Sequence, residues 1–123
     1  MQRFLDAQSG GVFEQALAEL HAGRKQSHWM WFIFPQHRDL GRSPTAKHFG
    51  LSGPEEAAAY AAHPLLGPRL RQCCHAILPH LAREPVEAIL GPVDALKLRS
   101  SMEIFSKAVP DEPLFREISD AAR

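Results

Sequence analysis

The sequence is poor in the residues that build sheets. Threonine occurs once, valines and isoleucines are few, and no segment alternates apolar and polar residues with β-branched enrichment. That argues against a sheet. Net charge is missing too, since 14 Lys and Arg residues balance 14 Asp and Glu. Generic nucleic-acid and membrane-surface binders carry an excess of basic charge, so neither partner is expected. The same neutrality gives little protection against self-association, which leaves a homodimer open. The only cysteines, Cys73 and Cys74, are adjacent. Chain neighbours lie closer than disulfide geometry prefers, so they are expected as reduced thiols in a reducing, cytoplasmic setting. The N-terminus lacks the basic, apolar and small-residue order of a signal peptide, and no apolar run approaches the roughly 18 residues of a membrane span. A P-loop, a GxGxxG fingerprint and a second metal-ligating pair are all absent, so neither a cofactor nor a metal is expected. There is no internal repeat and no low-complexity tract.

What remains is a chain of 123 residues, expected as one helical domain over its whole length. It is organised around Arg24 to Gln36, which holds both tryptophans and two of the seven phenylalanines. Both faces of that stretch are apolar, so periodicity alone does not separate strand from helix. A short buried helix from His28 to Ile33 is favoured, with Ser27 as its N-cap and Pro35 as its stop. Before it, Val12, Phe13, Ala16, Leu17 and Leu20 follow the helical period, with Glu14, Gln15 and Glu19 elsewhere, and Gly23 closes the segment. Gln36 to Arg42 reads as a loop. Ser43-Pro44 and Gly53-Pro54 open two further helices. A long amphipathic helix follows Pro64, with Pro79 near its end. A short helix from Glu84-Pro85, one over Ala95 to Ala108 led into by Pro92-Val93-Asp94, and a last one around Leu114 to Ile118 complete an all-α reading. The ten prolines fall mostly at starts and stops.

Three motifs stand in order: Gly23-Arg24-Lys25-Gln26-Ser27-His28-Trp29-Met30-Trp31-Phe32-Ile33-Phe34-Pro35-Gln36, then His63-Pro64-Leu65-Leu66-Gly67-Pro68-Arg69-Leu70, then Gly91-Pro92-Val93-Asp94-Ala95-Leu96-Lys97-Leu98-Arg99-Ser100-Ser101-Met102. In this combination they resemble the family of unknown function numbered 1810, some of whose members carry a calpastatin label. The resemblance runs from about Arg3 to Phe115, and Tyr60 and the Leu40 to Pro44 segment fit it. It implies a small, mainly helical bacterial protein and no known reaction. Relatives continue past the last helix with a polar and apolar tail, so a site completed by such a tail would be altered here.

Several polar residues are candidates for chemistry. His28 sits beside Trp29 and is either an acid–base group or a core-edge histidine. Arg24 and Lys25 either follow a helix end as dipole partners or bind an anion. His63 and Arg69 flank the start of the long helix, whose free N–H groups can receive an anion; the alternative for His63 is to end the preceding helix. Asp94, Lys97, Ser100 and Ser101 share helical spacing and can hold a phosphate or a ribose, or equally form a cap and a surface ion pair. Ser100 as a nucleophile with Lys97 as base lacks any elbow or oxyanion motif.

The expected function is binding, with hydrolysis or transfer as an extension, of a small anionic metabolite such as a nucleotide or an ADP-ribose-like compound. His28 and Asp94 are the candidate catalytic pair. Arg24, Lys25, Trp29, Trp31, Gln36, His63, Arg69, Lys97, Ser100 and Ser101 are the candidate ligand contacts. The rival is a non-catalytic interaction or dimerisation module whose aromatic stretch is core or interface.

Overall fold

The computed structural model describes residues 1–123 and contains nine α-helices, one 3-10 turn and no strand. The helices are α1 (Gln2–Ala7), α2 (Val12–Ala22), α3 (Met30–Ile33), α4 (Pro44–His48), α5 (Pro54–Ala62), α6 (Leu66–Leu81), α7 (Val86–Leu90), α8 (Pro92–Ala108) and α9 (Pro113–Ala121). The turn is Arg38–Leu40. The expected helical architecture is therefore the observed one.

Local chemistry explains most boundaries. Proline begins α4, α5, α8 and α9, where its missing N–H has no helical partner to lose. The Ser43 hydroxyl accepts from the Ala46 N–H at 3.1 Å and caps α4. Gly23 ends α2 in the left-handed region at φ 72°, while the Arg24 N–H returns to the Glu19 carbonyl at 3.1 Å. A methyl group at Gly23 would also stand 2.7 Å from His80 Nδ1, so the position excludes side chains twice over. Pro79 lies inside the last turn of α6, where it forgoes the bond its N–H would donate to the residue four before, and the helix ends two residues later at Leu81.

Two long helices carry the packing. α8 lies against α5, α7 and α9, and α6 lies against α2, α5 and α9. Both bury one face: Leu66, Leu70, Cys73, Cys74 and Ile77 on α6, and Ala95, Leu98, Met102 and Phe105 on α8. A row of aromatic rings crosses between them, from Phe4 through Tyr60 and Phe105 to Phe115, with centroids 5.0, 5.6 and 5.5 Å apart. Such offset and edge-on pairs add to the area they bury.

Three local expectations change. The helix of the aromatic stretch is only Met30–Ile33, and its N-cap is Trp29, without a side-chain cap. The Ser27 hydroxyl is not a cap because it donates to Glu19 at 2.6 Å. Glu19, expected off the apolar face of α2, is only 5% exposed. Asp94 is not the cap of α8 either; that place belongs to Gly91, and Asp94 lies in the first turn, where the helix dipole favours a carboxylate.

Candidate functional site

The loop between α2 and α3 is built on Glu19. Its carboxylate accepts from the Gln26 N–H (2.7 Å), the Ser27 N–H (2.9 Å), the Ser27 hydroxyl (2.6 Å), the Gln15 amide (2.8 Å) and the Trp29 indole N–H (2.9 Å). Burial alone would raise its pKa. The Ser27 hydroxyl, the Gln15 amide and the two backbone N–H groups outweigh burial and hold the carboxyl far below the usual range. No cation takes part; donors alone stabilise the charge. Trp29 is thereby locked in the core at 1% exposure.

That loop delivers Lys25 to α8. The Lys25 N–H donates to the Ile89 carbonyl at 2.9 Å, which ties the loop to the end of α7. Gly91-Pro92 then turns the chain into α8, with Asp94 in its first turn and Lys97 three residues on. Lys25 Nζ lies 3.0 Å from one Asp94 oxygen and Lys97 Nζ 3.4 Å from the other. The ammonium of Lys25 stands 5.1 Å over the Trp29 ring, and that of Lys97 4.6 Å over the Trp31 ring. The three charged side chains are only 10%, 17% and 20% exposed. Lysine–aspartate pairs this far out of water interact more strongly than surface pairs. Two cations on one carboxylate leave one positive charge in excess, beside the partly exposed Trp31.

The other candidate residues are placed elsewhere. Arg24 points away, forming a two-pronged ion pair with Glu84 at 2.9 and 3.0 Å. His28 is exposed on a depression of about 310 Å³ that it shares with Gly10, Gly11, Gln15 and Ser27; it makes no hydrogen bond and does not touch Asp94. Arg69 donates to Gln8 Oε1 at 3.3 Å and lies 4.6 Å over the Phe13 ring. His63 Nδ1 accepts from the Leu65 and Leu66 N–H groups at 3.1 and 3.2 Å, so the imidazole takes the place an anion would occupy at the start of α6. Gln36 contributes its backbone carbonyl, which accepts from the Leu51 N–H at 2.8 Å. Ser100 lines a groove of about 310 Å³ with Leu40, Pro54 and Ile104. Ser101 is fully buried and its hydroxyl has no partner. Of the twelve, Lys25, Trp29, Trp31, Asp94 and Lys97 are brought together.

Among the buried polar residues that sequence reasoning missed, two tie distant segments together through their side chains. One is Glu19. The other is Gln8, which donates to the Phe32 carbonyl at 2.8 Å and the Tyr60 hydroxyl at 3.0 Å. Both sit near glycine-rich or apolar stretches that give no polar signal. Cys73 and Cys74 are free and buried in α6, and burial pushes the Cys73 thiol up to about 12 and the Cys74 thiol well above its ordinary range. No group of three or more His, Cys, Asp or Glu residues is arranged to hold a metal. No helix is long and apolar enough to cross a membrane.

Fold and cluster together define a small all-α protein in which Lys25 and Lys97 meet on Asp94 at the first turn of α8. The chain belongs to the family described as Protein of unknown function (DUF1810), whose model matches residues 1–122. It is similar in structure to the conserved hypothetical protein Rv1873 from Mycobacterium tuberculosis, with a TM-score of 0.90 and 46% identity. That likeness covers 95% of this chain and 82% of the other. No curated protein matches the chain.

Proposed function

We propose that the protein binds a small anionic metabolite of the nucleotide or ADP-ribose type on the face where Lys97 and Trp31 meet. One observation carries this reading: Lys25 and Lys97, 72 positions apart, converge on a single aspartate and leave one positive charge uncompensated. Like charges gather at a cost that a bound anion offsets. Trp31 offers a flat surface on which a base can stack while Lys97 takes a phosphate. Asp94 is committed to two lysines and His28 has no orienting carboxylate, which favours binding over catalysis.

Thermal unfolding in the presence of AMP, ADP and ADP-ribose tests the reading. At least one should raise the melting temperature, and Lys97→Ala should abolish that rise. The unliganded variant should melt within a few degrees of the wild type, as expected for loss of a partly exposed ion pair. A rise that survives in Lys97→Ala, or none with any nucleotide, ends the reading. A second reading, the dimerisation module, is favoured by Val93 and Leu96, which stand 65% and 62% exposed on α8 next to Asp94 and Lys97. Sedimentation of the same samples separates the two: a concentration-dependent dimer without a nucleotide response supports the second.

A further inference from the structure

Eight of the fourteen Lys and Arg side chains have a carboxylate within 4 Å. Of the six that do not, Arg38, Arg42 and Lys47 line one depression of about 620 Å³, together with Asp39 and Gly41. No hydrophobic side chain contributes to it. The fold assembles this depression deliberately from a short piece of chain. The Arg38 N–H donates to the Leu51 carbonyl at 2.8 Å, and the Leu51 N–H to the Gln36 carbonyl at 2.8 Å, which pins the turn Arg38–Leu40 across the end of α4. The Gly50 backbone comes so close to Arg38 that an added Cβ would stand 2.2 Å from the Arg38 Cα, so the segment is held tightly on both sides. α4 then returns Lys47 toward Arg42. The one acid present, Asp39, turns toward His37, whose Nδ1 lies 3.6 Å from its carboxylate and accepts from its N–H at 3.0 Å. The depression therefore carries a local charge of +2 on a molecule whose total is zero.

The basic groove between α8 and α9 makes the contrast. It also gathers cations, but Arg99 is paired with Glu87, Lys107 with Glu103 and Arg123 with Asp120. Three of its four cations are answered within the protein and only Arg116 is not, whereas none of the three in the 38–47 depression has a carboxylate within 4 Å. A chain with as many acids as bases places only Asp39 beside Arg38, Arg42 and Lys47.

We propose that this depression is a second anion site, and that it takes a small molecule bearing two or more adjacent phosphates. Two forked guanidiniums and one ammonium around a polar hollow match several phosphate oxygens better than one carboxylate. The volume lies within the range of small-molecule sites, and the polar lining favours a hydrated, highly charged occupant over an apolar one. A nucleic acid would need basic charge extended along a surface, whereas this charge is confined to ten residues. The site shares no residue with the Lys25–Asp94–Lys97 cluster and does not depend on it.

Isothermal titration of the whole protein with tripolyphosphate, pyrophosphate and orthophosphate at fixed ionic strength tests this. Affinity should rise with the number of linked phosphates. Arg42→Ala combined with Lys47→Ala, both exposed positions, should weaken tripolyphosphate binding by about tenfold or more. Arg83→Ala combined with Arg116→Ala removes the same charge from two unpaired cations outside the depression and should leave binding within about twofold. Lys97→Ala should also leave it unchanged, which separates this site from the nucleotide reading. Equal weakening by the two double variants, no binding of any of the three anions, or tighter binding of a single-stranded RNA lost in Arg42→Ala/Lys47→Ala would each overturn the proposal.

Discussion

Glu19 is the residue on which the aromatic stretch depends. Its five donors come from the loop, α2 and the Trp29 indole, and a glutamine in its place would turn an amide N–H toward some of them. Glu19→Gln should therefore cost about 2–3 kcal/mol, measured by urea unfolding at neutral pH. The pH dependence has a definite sign. A carboxyl held below its unfolded value, near 4.3, contributes stability that is present above that pH and lost as pH falls toward the folded value. Wild-type stability should thus fall below about pH 4.5 more steeply than that of Glu19→Gln, and the two curves should converge in acid. Parallel curves would mean that Glu19 titrates normally. Glu56, Glu84, Glu87 and Glu112 are lowered as well and act alike in both proteins, so the difference isolates Glu19.

At the scale of elements, the turns are as specific as the helices. The α2 stop places Arg24 and Lys25 on diverging paths, one to Glu84 and one to Asp94. Gly23 permits this because its φ is positive and His80, whose Nε2 lies 2.8 Å from the His21 carbonyl, fills the space a side chain would need. Gly23→Ala should cost about 1–3 kcal/mol, from left-handed strain and displacement of His80. A cost within a few tenths of a kcal/mol would mean that the turn relaxes freely. The proline starts of α4, α5, α8 and α9 are more forgiving, since each uses only a preset φ.

Across the whole molecule, α6 and α8 share a continuous apolar core, and the charged clusters are distributed over its outside. The two thiols report on that core. Cys73 is 1% exposed and Cys74 fully buried, and both are held in the neutral form by burial. A thiol reagent at pH 8 should label neither in the native protein and both after denaturation, because the thiolate is the reacting form. Labelling of Cys73 without unfolding would show that α6 opens locally.

The all-α class, the proline starts, the Gly23 and Gly91 stops and the Ser43 cap were legible in the sequence, because each depends on residues within one turn of each other. So was the pairing of Asp94 with Lys97, which needs only helical spacing. The choice among the cations was not legible. Arg24, Lys25, Arg69 and Lys97 are chemically alike as letters, and only the packing of α2, α7 and α8 sends Lys25 to Asp94 while Glu84, Gln8 and Phe13 claim the other two arginines. The burial of Glu19 was hidden for the same reason, since its partners are backbone N–H groups that no composition reveals. Nor did spacing mark the depression of Arg38, Arg42 and Lys47, whose property is the absence of nearby carboxylates. Local propensity acts along the chain and can be read from it; electrostatic pairing acts through space, and the tertiary fold alone decides which charges meet.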